Sequence, residues 1–414
     1  MFSIINKKLR SKMVNKLIIL ISLIIFSLTS NSQDNKDNYY KASAYIYYNI
    51  LDSTIIYISK NIDSEKNNYK NYIIRGDCYF NLKMYENALN DFLTAENLKP
   101  EIAEYKIARC YSMLNDYKNA FEYLQRHLQK SEKNTQASIK LDTAFKNINT
   151  LKQWNEIWLN EWYSKAETAL FDAEYAIKKN QYNDAIEMLT QFLEKRTKSH
   201  QAYYLRAKAS IALQNYKAAI NDIEKAIENS PKNDLYWFEK GKLNFLEENY
   251  KKAYEDFNTT INLNPDNLFY FFFRAKAAIK IENYSIALED MNLFMKYYGR
   301  EAEENYQMGL IYLKNKEFID ALPFLNIALE KDQSKYEYFT SRGIAYLNTN
   351  SPKLSESDFT MSLDLNPKQN EVWFFRGLDR AKLGNSVGAC SDWEKAFDMK
   401  YVDAVEYLKK NCWK

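Results

Sequence analysis

Between residues 69 and 403, small and apolar residues recur at fixed intervals that predict antiparallel helix pairs. Blocks aligned on one small residue start at 69, 101, 166, 200, 234, 268, 302, 336 and 370, and from 166 onward every step is 34 residues. Position 8 of each block is Gly or Ala, position 20 is Ala in all blocks but one, and position 24 is bulky. Small residues at 8 and 20 let two helices approach closely, so each block is predicted to be one hairpin of a stack.

This spacing resembles the tetratricopeptide repeat family over most of the chain. The resemblance implies an all-α superhelical solenoid of antiparallel helix pairs, whose first helices line a concave groove that binds peptides or proteins. Low Gly and Pro content agrees with a helical protein. The expected organisation is a degenerate N-terminal helix pair at 33–68, two repeats at 69–134, a linking helical segment at 135–165, seven contiguous repeats at 166–403 and a capping helix at 404–414.

A basic residue at position 7 occurs together with an aspartate at position 23. Blocks without the base have an uncharged residue at position 23 (Tyr123, Met188 and Phe324). Positions 7 and 23 lie opposite each other in a hairpin that turns near position 15, which predicts an ion pair within the repeat. The pairs are Arg75/Asp91, Arg206/Asp222, Lys240/Asp256, Arg274/Asp290, Arg342/Asp358 and Arg376/Asp392. The tripeptide Arg75-Gly76-Asp77, an adhesion signal in some extracellular proteins, is therefore expected to be a helix segment.

Residues 1–32 have the pattern of a secretory signal peptide. Five basic residues accompany the apolar run LIILISLIIFSL at 17–28, and small residues precede Gln33. We expect cleavage before Gln33, no membrane anchor afterwards, and a periplasmic or outer-membrane-associated protein. An uncleaved anchor is the alternative, although a bilayer span needs roughly 20 apolar residues. No cysteine offers a site for lipid attachment, and translation from either Met1 or Met13 fits the pattern.

Little in the composition supports catalysis. His127 and His200 are the only histidines, and the sequence contains no CxxC, no HExxH and no glycine-rich phosphate loop. Removal of residues 1–32 changes the formal net charge from +3 to −2, which gives no general attraction for nucleic acid. We therefore expect a non-catalytic protein without cofactor, metal or nucleic-acid partner.

Cysteines and tryptophans make two further predictions. Under the family register, Cys390 lies at position 21 and Cys412 at position 9 of the capping helix, and we expect them to form a disulfide. Cys78 and Cys110 occupy equivalent positions on successive first helices, where we expect too great a separation for a bridge. Trp154, Trp158 and Trp162, at spacing four, are predicted to share one helical face. Burial of that face in a degenerate helix pair is favoured over an aromatic ligand site.

The family's groove positions, 2, 5, 9, 12 and 13, identify a candidate binding surface. Positions 5 and 9 of successive repeats carry aromatic and lysine side chains, which suit an extended segment with acidic and apolar residues. The candidate residues are Tyr204, Lys208, Phe238, Lys242, Phe272, Lys276 and Tyr306. The rings being part of the core, with the lysines merely solvated, is the alternative.

The function expected from these features is that of an interaction scaffold in the cell envelope. The composition, rich in Asn, Lys, Ile and Tyr, and the closing stretch 388–412 resemble exported repeat proteins of the Bacteroidota. Two other functions are kept open: a periplasmic holdase for outer-membrane or secreted proteins, and a glycan-binding protein. The sequence names no partner and no oligomeric state.

Overall fold

The computed structural model describes residues 33–413, and every regular element in that range is a helix. The chain divides into unit 1, up to Tyr175, and unit 2, from Ala176, a boundary that falls within α9. The predicted signal peptide lies outside the described residues. Unit 1 contains α1 (33–47), α2 (Leu51–Ser64), α3 (Tyr69–Asn81), α4 (Tyr85–Leu98), α5 (Glu104–Met113), α6 (Tyr117–Leu128), α7 (Gln136–Leu141), the 3-10 helix η1 (Thr143–Phe145), α8 (Lys152–Ile157) and most of α9 (Lys165–Lys178).

Unit 2 is an uninterrupted series of helix pairs followed by one single helix. Its elements are α10 (Tyr182–Lys195), α11 (His200–Ala212), α12 (Tyr216–Asn229), α13 (Asp234–Leu246), α14 (Tyr250–Leu263), α15 (Leu268–Lys280), α16 (Tyr284–Tyr298), α17 (Ala302–Lys314), α18 (Phe318–Lys331), α19 (Tyr336–Asn348), α20 (Pro352–Leu365), α21 (Asn370–Lys382), α22 (Ser386–Asp398) and α23 (Ala404–Asn411). Consecutive helices pack against one another, and successive first helices such as α13, α15 and α17 also touch. The all-helical solenoid fold is thereby confirmed.

Each hairpin turns at position 15, where the backbone enters the left-handed region. That conformation ends the first helix after a full run of intrahelical bonds and reverses the chain within a few residues. Glycine occupies this position only at Gly384, and the other repeats place longer residues there. The residues are Lys83, Asn115, Asn180, Gln214, Glu248, Glu282, Lys316, Asn350 and Gly384.

The small residue at position 8 is matched to the side chain at position 24 of the same hairpin. Glycine faces an aromatic ring in four repeats, and a Cβ placed on Gly76 would lie 2.5 Å from Cε1 of Phe92. Where position 24 is aliphatic, position 8 is mostly alanine, as in Ala207 opposite Ile223. A small residue at position 8 therefore makes room for the side chain at position 24, which lets the two helices pack closely.

The predicted ion pairs at positions 7 and 23 are confirmed, and the arginine pairs are bidentate. Nε and Nη2 of Arg274 donate to the two carboxylate oxygens of Asp290 at 2.8 and 2.7 Å. Lys240 can offer only an ammonium group, and it lies 3.5 Å from Asp256. The paired arginine-aspartate repeats are Arg75/Asp91, Arg206/Asp222, Arg274/Asp290, Arg342/Asp358 and Arg376/Asp392.

Each of these arginines also binds the preceding helix pair, a contact that the sequence analysis missed. The remaining nitrogen, Nη1, donates to a polar side chain at position 25 of the previous repeat, as Arg274 does to Asn258 at 2.7 Å. One guanidinium therefore ties three helices together, within a repeat and between repeats. The acceptors at position 25 are Ser59, Thr190, Asn258, Asn326 and Thr360.

The Arg-Gly-Asp tripeptide lies inside α3, as predicted. Arg75 is engaged by Asp91, Gly76 is buried, and Asp77 accepts a hydrogen bond from Lys106 at 2.6 Å. None of the three residues is presented on a loop tip, so the geometry required of an adhesion signal is absent from this segment.

The linking segment is less regular than predicted, and the single tryptophan face is wrong for Trp162. Helix α8 ends at Ile157, whose carbonyl accepts a hydrogen bond from the Trp162 indole at 2.7 Å. In a continued α-helix, a backbone N–H of the next turn would donate to the Ile157 carbonyl. The Trp162 indole donates to it at the point where the chain leaves the helix. Trp154 is nonetheless buried, and Trp158 and Trp162 pack against the same core cluster. The indoles therefore pack into the core of the linking segment, as the favoured interpretation expected.

The last helix covers the apolar end of unit 2. Ala404 and Leu408 of α23 are fully buried against Trp393 and Phe374. A disulfide joins Cys390 to Cys412, with the two Cα atoms 5.7 Å apart. Cys78 and Cys110 are buried free thiols, and burial raises their pKa to about 11 and about 12, respectively, which disfavours the reactive thiolate.

Candidate binding surface

We use the term groove face for positions 2, 5, 9, 12 and 13 of the first helices. In unit 2, the rings at position 5 pack against rings at position 3 of the next repeat. Ring centroids are 5.0 Å apart for Tyr204 and Tyr236, and 4.9 Å apart for Phe238 and Tyr270. Tyr306 and Tyr338 stack at 4.4 Å. These rings therefore lie at groove positions and also pack between successive repeats.

Phe272 differs from the other rings at position 5 because it is buried, with 8% of its surface exposed. Its ring lies 4.9 Å from that of Phe294 on the second helix of the same repeat. A ligand on the groove face would thus gain little contact from Phe272, although the lysine one turn later remains partly exposed.

The three lysines at position 9 each lie above the ring one turn earlier on the same helix. The ammonium nitrogens of Lys208, Lys242 and Lys276 are 5.8, 5.0 and 5.5 Å from the ring centroids of Tyr204, Phe238 and Phe272. These distances are those of cation–π contacts, which hold the ammonium groups on the groove face. The three lysines predicted from the sequence thus lie in a row on the groove face, each above an aromatic ring.

Two of these lysines have carboxylate partners. Lys242 is 2.9 Å from Glu239 on its own helix, and Lys276 is 2.9 Å from Glu303 at position 2 of the next repeat. Burial acts to raise the pKa of Glu303, but Lys276 holds that pKa below its ordinary value. The positive charge of the surface is therefore partly compensated before any ligand arrives.

An apolar cavity of about 240 Å³ opens between α13 and α15 on this surface. Phe245, Leu246 and Phe273 form its apolar lining, and Lys242 and Lys276 stand at its sides. Leu246 is 57% exposed, so it offers apolar area to a partner. The chemistry of this cavity suits an apolar side chain next to an acidic group.

Unit 1 contains a fourth aromatic–cation pair at positions 5 and 9, and this pair holds a carboxylate of the chain itself. The Tyr105 hydroxyl donates to Oδ2 of Asp142 at 2.8 Å, and Nε of Arg109 lies 2.9 Å from the same oxygen. Next to this carboxylate, the Ser112 hydroxyl donates to the Ala144 carbonyl at 2.7 Å. Tyr105 and Arg109 are not among the residues predicted from the sequence, although their positions in the repeat are those of the predicted pairs.

A polar cavity of about 610 Å³ lies beside this site in unit 1. Its walls include Glu104, Arg109, His127 and Lys130, of which Glu104 and Lys130 are 2.8 Å apart. Burial lowers the pKa of His127 to about 4, so its ring is neutral, and Nε2 accepts the backbone N–H of Asn134 at 3.0 Å. These charged groups of the cavity wall are thus ion-paired, although Oε2 of Glu104 and Nε of Arg109 make no hydrogen bond within the described residues.

Residues 33–413 contain no group of His, Cys, Asp and Glu side chains arranged to hold a metal ion. No helix within that range is both long and apolar enough to span a membrane.

Comparisons with known proteins agree with the repeat register. Models described as tetratricopeptide repeat match residues 69–102, 103–130, 172–234 and 204–267. Human serine/threonine-protein phosphatase 5 is 28% identical over 110 residues, which are 27% of this chain and 22% of that protein. The chain thus spans about a fifth of the length of the curated relatives it matches.

Solved structures also resemble the chain at low sequence identity. A tetratricopeptide repeat protein from Parabacteroides merdae is 16% identical, with a TM-score of 0.46, and covers 59% of this chain and 97% of its own. Yeast Tom70 is 13% identical, with a TM-score of 0.38, and covers 92% of this chain and 96% of its own. The family models match residues 69–130 and 172–267, where the helix pairs of the structure follow the repeat register, so these residues form tetratricopeptide repeats.

Proposed function

We propose that this protein is a non-catalytic scaffold of the cell envelope, which binds a protein segment with acidic and apolar residues on the groove face of unit 2. The observation that carries the proposal is the apolar cavity lined by Phe245, Leu246 and Phe273 and flanked by Lys242 and Lys276. An apolar side chain in the cavity would supply buried area, and the ammonium groups would orient a neighbouring carboxylate.

The direct test places a photoreactive amino acid at position 246 in the cell of origin. Leu246 borders the cavity, whereas Ile319 on α18 is 73% exposed and serves as the control position. A scaffold should give one or two crosslinked proteins from position 246, through one short segment rich in acidic and apolar residues, and none of them from position 319. Many unrelated proteins would instead indicate a holdase, and crosslinked polysaccharide would indicate glycan binding.

A second test changes the charges beside the cavity. The double variant Lys242→Glu, Lys276→Glu should weaken binding of the captured segment by roughly 10- to 100-fold, because each lost ammonium contact contributes on the order of 1 kcal/mol. Lys251→Glu, Lys252→Glu makes the same charge change on exposed residues of α14 and should leave affinity within about twofold. The loss should be larger at low salt than at physiological salt. Equal affinity of both double variants would exclude this cavity as the binding site.

Export is part of the proposal and has its own test. The basic segment, the apolar run and the small residues before Gln33 support cleavage at that residue. The intact mass of protein isolated from the envelope should correspond to a chain that begins at Gln33. A mature chain that retains residues 13–32 would refute export by a cleaved signal.

A further inference from the structure

The four aromatic–cation pairs differ in where their carboxylate comes from. Arg109 receives Asp142 from the linking segment, and Lys276 receives Glu303 from position 2 of the next repeat. Position 2 is apolar in the repeats that follow Lys208 and Lys242, where it is Leu235 and Phe269. Lys242 forms an ion pair with Glu239 of its own helix. For Lys208, no ion pair is present among residues 33–413.

Asp142 and Glu303 are each contacted by one cation and one tyrosine hydroxyl, although the tyrosine stands at position 5 beside Asp142 and at position 3 of the following repeat beside Glu303. Asp142 is held by Arg109 and by the Tyr105 hydroxyl. Glu303 is held by Lys276 at 2.9 Å and by the Tyr338 hydroxyl at 3.3 Å. The tyrosine hydroxyl donates a hydrogen bond to the carboxylate, and the cation lies at ion-pair distance, although Nε of Arg109 makes no hydrogen bond within the described residues.

Tyr204 and Lys208 repeat the residue positions of Tyr105 and Arg109. Burial raises the pKa of Tyr204 to about 12, so its hydroxyl remains a proton donor at physiological pH. The ring is fixed against Tyr236, whose own hydroxyl is 2.8 Å from Nδ1 of His200. Lys208 is exposed above the Tyr204 ring. The negative charge of Glu239 also raises the pKa of Tyr204, after the larger effect of burial, and Glu239 is itself ion-paired with Lys242.

We infer that Tyr204 and Lys208 form a carboxylate-binding site for the partner segment, of the same construction as the site that holds Asp142. The inference rests on the proposed function, because the ligand is taken to be the segment whose apolar residue enters the cavity between α13 and α15. Tyr204 donates its hydroxyl hydrogen bond to a ligand carboxylate oxygen, and Lys208 supplies the positive charge.

The geometry also sets the spacing of the two ligand residues. Touching helices have axes about 8–10 Å apart, and the cavity lies one to two first helices beyond α11. The acidic and apolar residues are therefore roughly 12–15 Å apart, which an extended chain spans in about four or five residues at about 3.3 Å per residue. The segment predicted to bind carries an aspartate or glutamate and, four or five residues away, a large apolar residue.

The test uses a series of acetylated, amidated peptides that contain one aspartate and one phenylalanine, separated by one to eight alanine and serine residues. Titration into the purified protein, followed by calorimetry or ligand-observed NMR, should show the tightest binding for three or four intervening residues, which place the phenylalanine four or five positions from the aspartate. Replacement of the aspartate by asparagine should weaken that binding by about tenfold.

Variants of the protein separate this inference from the proposed function. Lys208→Gln should weaken the best peptide by about 5- to 10-fold and Tyr204→Phe by about threefold. The matched controls Lys217→Gln on α12 and Tyr203→Phe at position 4 should have no effect. If Leu246→Asp abolishes binding but Lys208→Gln and Tyr204→Phe do not change it, the cavity binds the segment and the carboxylate site is wrong. If no peptide of the series binds at 1 mM, both proposals fail.

Discussion

Tyr105–Arg109 in unit 1 and Tyr204–Lys208 in unit 2 have the same residue types at the same repeat positions but different surroundings. The first pair is covered by the linking segment, whose Asp142 is 14% exposed at its side chain. The second is followed by a regular repeat that places Leu235 where a carboxylate could have been. One site therefore contributes to the stability of the fold, and the other is accessible to a partner.

The comparison shows how an irregular segment changes the role of a repeat. Phe145 is buried next to Tyr105, with ring centroids 5.7 Å apart, in the way that Tyr236 packs against Tyr204. The linking segment thus takes the place of a following first helix and adds an acidic group that a regular repeat lacks. Side chains at groove positions stabilise the fold when the next element supplies a carboxylate that binds them, as Asp142 does for Tyr105 and Arg109.

The largest effect is expected from removal of the internal carboxylate. Asp142→Ala leaves Arg109 without its partner and removes the side-chain oxygen that accepts the backbone N–H of Ala144 at 2.9 Å. Both losses destabilise unit 1, by roughly 2–4 kcal/mol together. Hydrogen exchange of peptides covering 136–157 should become much faster, while exchange in unit 2 stays unchanged. Asp142→Asn keeps a cap acceptor and should fall between wild type and Asp142→Ala.

Asp379 contrasts with Asp142, because it is a buried carboxylate whose oxygens accept no hydrogen bond within the described residues. Asp379 lies at position 10 of α21, where other repeats have apolar residues such as Ala277 and Ala345. Its side chain is fully buried, and within the described residues neither of its oxygens accepts a hydrogen bond. Around it, Ser355 of α20 donates to the Gly343 carbonyl, and Glu356 and Asp392 both pair with Arg380.

Asp379→Ala is therefore expected to stabilise the protein at high pH. Burial raises the pKa of Asp379 to about 6, above its ordinary value near 4. Below about pH 4 the carboxyl is protonated in the folded and unfolded states, and its charge costs nothing. As the pH rises through 6, the folded state must accept a buried charge. Asp379→Ala should gain roughly 1–3 kcal/mol at pH 8 and little at pH 4.

Urea unfolding at the two pH values measures this difference. Asp364→Ala, at an exposed site on α20, is the control and should change stability equally little at both. A gain from Asp379→Ala that is the same at pH 4 and pH 8 would mean that the ionisation of Asp379 is not its cause.

The sequence predicted the hairpins and the ion pairs because both depend on residues at constant spacing. The arginine at position 7 and the aspartate at position 23 change together, which is visible without a structure. The third contact, to position 25 of the previous repeat, was not predictable in this way. Serine, threonine and asparagine all serve there, and they share only an acceptor oxygen.

The candidate site was predictable in its positions and not in its charges. Periodicity places Tyr204, Phe238 and Phe272 on one face, but the burial of Phe272 depends on Phe294 of the second helix. The pairing of Lys276 with Glu303 depends on how successive repeats are offset. The end of α8 at Ile157, whose carbonyl accepts the Trp162 indole N–H, is likewise not indicated by helical spacing.

The smallest effect on stability is expected at Lys208, and it tests the comparison most directly. Lys208→Gln removes an exposed charge that forms no ion pair within the described chain, so the free energy of unfolding should change by less than about 0.5 kcal/mol. Arg109→Gln leaves Asp142 without its cation and should cost roughly 1–3 kcal/mol. The same experiment should show the reverse order for the aspartate–phenylalanine peptides, which Lys208→Gln weakens and Arg109→Gln does not. Urea unfolding and peptide titration of the two variants, measured side by side, give both quantities. A stability loss at Lys208 as large as that at Arg109 would mean that both pairs are structural, and the assignment of Tyr204–Lys208 to a partner would be wrong.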